Sequence, residues 1–265
     1  MVGFSFLHLL TMKYGISELA IVPVRAEASD KAEMINQILF GEHFKVLEYK
    51  AKWSKIRLAH DKYEGWICNK QWLEIDKKTY EELERQVPTL TTELLDIVTK
   101  DSHQTIPLGS SLPFYQNGKF KIKDHEYSHK GNTVTAFVNK SALVNNAMLY
   151  LNTPYLWGGR TPFGIDCSGF TQMIYRLQGK EIPRDAYQQA EVGQTLSFIE
   201  ESEAGDLAFF DNHEGKIIHV GIILDNHYII HASGKVRIDR LDQQGIFNAQ
   251  ERKHTHKLRL IKSII

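Results

Sequence analysis

The chain has 265 residues, 32 Lys plus Arg against 32 Asp plus Glu, 12 histidines and two cysteines. That length allows about two or three domains with cores of their own, and the balanced charge argues against a nucleic-acid or anionic-membrane partner. Cys68 and Cys167 lie far apart and form no Cys-x-x-Cys pair, which excludes a disulfide scaffold, speaks against a structural zinc site and fits a reducing compartment.

Residues 2–12 are moderately apolar but lack a basic start and a small-x-small cleavage site. They read as a short extension, so a cytoplasmic protein is expected rather than a secreted or periplasmic one. Short strands follow at 20–24, 44–49 and 53–58, with another beginning at Gly65, as in a small, partly open β barrel. Met34, Ile35, Ile38 and Leu39 recur at helical spacing and predict a helical turn or two within 31–39. Residues 76–86 are charged and helix-prone until Pro88 stops the pattern, which reads as a linker helix. From 89 to 138, Pro107, Gly109, Pro113, Gly118 and Gly131 punctuate short apolar runs, so a second small β barrel is expected.

The third segment changes character. Leu143, Val144, Ala147, Met148 and Leu151 form a helical stripe with Ser141 near its N-cap. After a cysteine-bearing loop and a second helix, strands are predicted at 205–210, 217–224, 227–232 and 257–261. Helices ahead of an antiparallel sheet define an α+β domain. The expected division is 1–76, 77–138 and 139–265.

Cys167 is the centre of the predicted chemistry. A Gly- and Pro-rich loop delivers it to the turn Asp166-Cys167-Ser168-Gly169, and Phe170, Ile174 and Leu177 then follow at helical offsets. Its sulfur would sit on the first turn of a helix, where orphan N–H groups and the dipole favour a thiolate. A cysteine nucleophile needs a histidine base and a group that orients the ring. His219 and His231 lie on two predicted strands joined around Asp225-Asn226. A two-residue loop would pair 219 with 232 and part the rings. A three-residue loop at 224–226, with Asn226 left-handed, pairs 219 with 231 directly, faces both toward the cysteine helix and is the expected register.

Taken in order, these motifs resemble a known family. Pro-Tyr-Leu-Trp-Gly-Gly at 154–159, Asp-Cys-Ser-Gly-Phe at 166–170, Pro-Arg-Asp at 183–185, Gly-Asp-Leu-Ala-Phe-Phe at 205–210, His-Val-Gly-Ile at 219–222 and Ile-His-Ala at 230–232 resemble NlpC-type papain-like cysteine peptidases of bacterial cell-wall metabolism. The resemblance implies a peptidase domain over about 139–265, with Cys167 as nucleophile, His219 as base and His231 as orienting residue. It also implies that Tyr155 and the Cys167 N–H stabilise the oxyanion and that Asp166 and Ser168 contact substrate. Arg160 and Arg184 are further candidates for substrate carboxylates.

Val-Pro-Val-Arg at 22–25, residues 33–42 and Tyr-Glu-Gly-Trp at 63–66 are similar to the bacterial SH3 domains that precede this peptidase in a subgroup recycling murein peptides. There an acidic residue and a tyrosine, matching Glu33 and Tyr63, grip the free amine of L-Ala. The subgroup often has a serine after Pro-Arg-Asp, where this chain has Ala186. The resemblance implies hydrolysis of the γ-D-glutamyl–diamino acid bond in murein tripeptides or tetrapeptides by two SH3-like barrels and a papain-like domain, with no metal and no cofactor, and a monomer is expected. The alternatives are a non-catalytic wall-binding module, and an amidase or whole-wall hydrolase of the same fold.

Overall fold

Leu207 lies opposite Ile222 and Phe209 opposite Val220 across two antiparallel strands, and this apolar face carries the C-terminal half of the molecule. The computed structural model describes residues 12–135 and 139–265. The predicted N-terminal extension and the exact junction at 138 lie outside the described residues. Strands Leu207–Asp211, Ile217–Leu224, Tyr228–Ser233, Lys235–Asp242, Gly245–Asn248 and Lys253–Ser263 pair in that order, and the last returns to the first, closing a six-stranded barrel.

Alternation along the strands gives the barrel two apolar faces. Outside, Leu207, Phe209, Val220 and Ile222 pack with Phe170, Met173 and Ile174 of helix Cys167–Leu177. Inside, Ala208, Phe210 and Ile223 join Ile229 and Ile246. Ahead of the cysteine helix runs helix Lys140–Leu149, whose N-cap is Asn139 and not Ser141. The Asn139 side chain accepts the N–H groups of Ser141 and Ala142 at 3.0 and 3.3 Å, and the helix ends before Leu151.

The N-terminal sheet runs Met34–Leu39, Ile21–Arg25, Glu64–Cys68, Trp53–Leu58, His43–Tyr49, Lys13–Ile16, Leu73–Ile75 and encloses Val22, Val24, Ile38, Phe44, Ile56 and Ile67. The helical turn expected within 31–39 is instead the strand Met34–Leu39, paired from Ile21↔Leu39 to Val24↔Asn36. An apolar run this short fits both periods, and ladder pairing decides between them. Asn36 and Gln37 are buried in this strand because its other face meets Arg184 and Arg160 of the C-terminal half. The linker helix is present as Lys77–Arg85, capped by Asp76, which accepts the Thr79 N–H at 2.8 Å. Residues 89–135 are all β, a four-stranded sheet plus the pair Thr89–Thr91 and Thr133–Thr135.

The halves share one core. Leu39, Leu90 and Leu108 from the N-terminal part lie in the cluster built on Phe170 and Met173. Arg160, fully buried, donates to both carboxylate oxygens of Glu42 at 2.9 and 3.0 Å and to the Gln37 carbonyl at 2.8 Å. Burial alone would raise the Glu42 pKa, but Arg160, His60 and Arg176 outweigh it and pull it down to about 2. Arg160 is therefore a clamp between domains, fully buried and out of reach of a substrate carboxylate. Among the described residues no helix is long and apolar enough to cross a membrane.

Candidate active site

Asp166 is the hub on which the site is built. Its side chain caps the cysteine helix by accepting the Gly169 N–H at 2.7 Å, and it accepts the Gly158 N–H at 2.8 Å. Arg184 meets the same carboxylate through two bonds of 2.9 and 2.6 Å. Both oxygens are thus spent inside the protein, so the expected substrate contact at Asp166 is corrected to a positioning role. Arg184 is 1% exposed and also donates to Ser168 Oγ at 2.9 Å and to Asn36 Oδ1 at 3.0 Å. It ties the N-terminal strand to the nucleophile turn and, like Arg160, is not a free cation for substrate. Ser168 lines the cleft, but its hydroxyl already accepts from Arg184.

The glycines of the two motifs have steric reasons. Gly158 has φ +75°, and a Cβ there would come within 2.5 Å of the Met34 carbonyl oxygen. A Cβ at Gly169 would meet the Gly159 carbonyl oxygen at 2.3 Å. The loop, the helix start and strand Met34–Leu39 can approach this closely only because both contacts are made at glycine.

Cys167 is the first residue of its helix and lines a cleft of about 500 Å3 with Tyr63, Trp157, Arg184, Asp185 and Tyr187. Burial pushes its thiol up to about 12, with Asp166 adding to the effect and the N–H groups of Val220 and Ser168 and the charge of Arg184 opposing it. The expected thiolate is therefore a neutral thiol in the unliganded site, because desolvation exceeds the pull of the helix start. Tyr155 is exposed, yet partial burial of its hydroxyl, then the charge of Cys167, raises its pKa.

His219 and His231 come together, with His219 Nε2 2.9 Å from His231 Nδ1. The loop between their strands has three residues as expected, but it is 225–227, with Asn226 and His227 both left-handed. His231 therefore pairs with Gly221 and meets His219 on the diagonal. Moving the loop by one residue shifts the pairing by two, which leaves both rings on one face. That face carries Phe210, opposite His219, and so is the inner face of the barrel, while the cysteine helix covers the outer one. Cys167 reaches this end of the strand through the Val220 N–H, which points at its sulfur one residue past His219.

Two residues escaped the sequence reading. Asp239 Oδ2 lies 3.0 Å from His231 Nε2 and is held by Arg237 at 2.6 Å. Burial opposes its ionisation, but His231 and Arg237 keep its carboxyl below the usual range. Asp185 shares the cleft with Tyr63, and burial pushes its carboxyl up. His219 lies well below 6.5 through burial, then the proximity of His231 and His256.

Because Asp239 accepts the proton of His231 Nε2, His231 Nδ1 must accept as well, and His219 Nε2 must donate to it. The remaining nitrogen, His219 Nδ1, is left unprotonated. The chain of acceptors thus leaves one basic nitrogen on His219.

The N-terminal sheet forms the other wall. Ile35 and Tyr63 line the same cleft as Cys167, and Glu33 accepts the indole N–H of Trp157 at 2.5 Å. Among the described residues, no group of three or more His, Cys, Asp or Glu is placed to hold a metal ion.

Residues 152–254 match the NlpC/P60 family, and residues 24–71 match the bacterial dipeptidyl-peptidase SH3 domain. The chain is 29% identical over 215 residues to a gamma-D-glutamyl-L-lysine dipeptidyl-peptidase of Bacillus subtilis, covering 74% of this chain and 71% of that protein. It is 27% identical over 246 residues to dipeptidyl-peptidase 6 of Lysinibacillus sphaericus, covering 83% and 88%. A crystal structure of an NlpC/P60 family protein from Bacillus cereus has the same fold, with TM-score 0.79 at 18% identity over 95% of this chain and 99% of that one.

Proposed function

Because this chain carries an NlpC/P60 domain behind a bacterial SH3 domain, we propose that it is a cysteine peptidase hydrolysing the γ-D-glutamyl–diamino acid bond of murein peptides with a free N-terminal L-Ala. Cys167 is the nucleophile, His219 the base and His231 with Asp239 its orienting pair. One observation carries the reading: the SH3 residues Ile35 and Tyr63 wall off the cleft that contains Cys167. A closed wall admits a short chain end and rejects a polymer interior.

The chemistry follows from the neutral resting pair. As Cys167 Sγ attacks the γ-carbonyl carbon, its proton passes to His219 Nδ1. The carbonyl oxygen takes the developing charge, toward the Cys167 N–H and the Tyr155 hydroxyl. When the C–N bond breaks, the imidazolium protonates the departing amine and a thioester remains. Water, deprotonated by His219, attacks the thioester, and the sulfur leaves with that proton. At the far end, Glu33, Tyr63 and Asp185 suit an ammonium, since Asp185 is a half-buried carboxylate lining the cleft with only partial compensation.

The test is to incubate the enzyme with L-Ala-γ-D-Glu-diamino acid and with its N-acetylated form. The free amine should be cleaved and the acetylated peptide rejected. Equal rates on both would remove the gate. The same chemistry and a bounded cleft fit a monomeric enzyme working in the cytoplasm on released peptides, which activity on those peptides but not on intact sacculi would support.

A further inference from the structure

Beside the base, both strands that flank Leu207–Asp211 are bulged against it. Its pairing with Ile217–Leu224 steps from Phe210↔His219 to Asp211↔Ile217, leaving Ile218 unpaired. Its pairing with Lys253–Ser263 steps from Phe209↔Leu260 to Phe210↔Leu258, leaving Arg259 unpaired. Bulges next to active sites re-aim the extra side chain. Both extra residues line one open groove of about 1000 Å3, together with Asp211 and His256. Ile218 also borders the cleft of Cys167, so the two spaces meet over that side chain. The His256 ring stacks on His219 with centroids 4.3 Å apart, so the groove starts at the base that protonates the leaving group.

Asp211 is the anomaly in this groove. Its side chain is 4% exposed, and among the described residues its Oδ1 has no hydrogen-bond partner and its Oδ2 has only Arg259 Nε at 3.7 Å, beyond hydrogen-bond range. A buried carboxylate left this short of donors is costly unless something completes it. Of the other charged groups lining the groove, His254 meets Asp242 at 2.9 Å and Glu214 meets Lys216 at 2.8 Å, while Lys257, opposite Asp211 in the ladder, is exposed and makes no ion pair among the described residues. The acyl part of the substrate lies on the side closed by the SH3 wall, so the departing amine needs the open side.

We propose that this groove is the subsite for the leaving diamino acid, with Asp211 accepting its side-chain ammonium and Arg259 pairing with its carboxylate. The proposal rests on the peptidase reading above. It assigns selection of the bond's amine side to the bulged end of the barrel, far from the SH3 gate.

The test compares kcat/KM for L-Ala-γ-D-Glu-L-Lys with that for the norleucine peptide, which lacks only the ammonium. The wild type should prefer lysine by about tenfold or more, the equivalent of about 1.4 kcal/mol. Asp211→Asn should bring the ratio to within about twofold of unity, as loss of a charge-assisted contact requires. Both peptides are measured on one preparation, so partial unfolding moves both rates together and leaves the ratio intact. In a second arm, Arg259→Ala should erase the preference for the free carboxylate over the C-terminal amide. A wild type that cleaves both peptides without preference, or an Asp211→Asn ratio equal to wild type, overturns the subsite alone. A wild type that cleaves neither overturns the peptidase reading and the subsite with it.

Discussion

His231 Nδ1 lies 2.9 Å from His219 Nε2, and its other nitrogen lies 3.0 Å from Asp239 Oδ2, so a carboxylate one ring away sets where His219 keeps its lone pair. Asp239→Asn preserves the shape and removes the fixed acceptor. In the serine-protease triad, the same change on the residue touching the base costs about 10⁴ in kcat. Here the carboxylate acts through an intervening ring, so a smaller loss of about 10–100-fold in kcat is expected, with KM little changed. Unchanged kcat would show that His231 keeps its tautomer without Asp239.

The protonation state of Cys167 can be read directly. With burial raising the thiol to about 12, alkylation by iodoacetamide should climb steadily with pH from 6 to 10. A rate already at its plateau near pH 7 would show a resting thiolate and refute the neutral pair. Cys167→Ala should abolish turnover and retain peptide binding.

Glu42 links stability to acid. Its folded pKa, about 2, lies below the ordinary 4.5, so its stabilisation is present above pH 4.5 and lost as pH falls toward 2. A shift of that size corresponds to about 3 kcal/mol, as an order of magnitude. Urea unfolding followed from pH 5 to pH 2 should lose stability in that window. Glu42→Gln should flatten this loss and, by stranding Arg160, cost about 3–5 kcal/mol at neutral pH.

Gly158→Ala should disrupt the junction rather than the chemistry. The left-handed φ and the 2.5 Å approach to the Met34 carbonyl leave no room for a methyl. Loss of about 1–3 kcal/mol of stability is expected, together with looser discrimination against the acetylated peptide. A variant as stable and as selective as wild type would show that the loop can move away from strand Met34–Leu39 without consequence.

Much of the site was legible because its motifs answer to local geometry. Asp166 caps a helix three residues on, Gly158 and Gly169 allow backbone contact, and alternation along two strands keeps His219 and His231 on one face in any even-numbered register shift. The apolar spacing of Met34–Leu39 satisfies both the helical and the strand period, and only the ladder to Ile21–Arg25 separates them. Arg160 and Arg184 looked like substrate cations because a sequence cannot show that Glu42 and Asp166 already hold them.

The order and spacing of residues determined by themselves the family and the α+β class, and pointed to Cys167, His219 and His231 as candidates, since each depends on short-range backbone requirements. Tertiary structure alone decided the rest. Desolvation makes Cys167 a thiol, strand pairing brings Asp239 behind His231, and domain contact sets Tyr63 over the cleft. The two bulges beside Phe210 likewise depend on registers with two other strands, so Asp211 and Arg259 meet only once the barrel closes. Burial and long-range pairing are properties of the folded chain, and no local pattern encodes them.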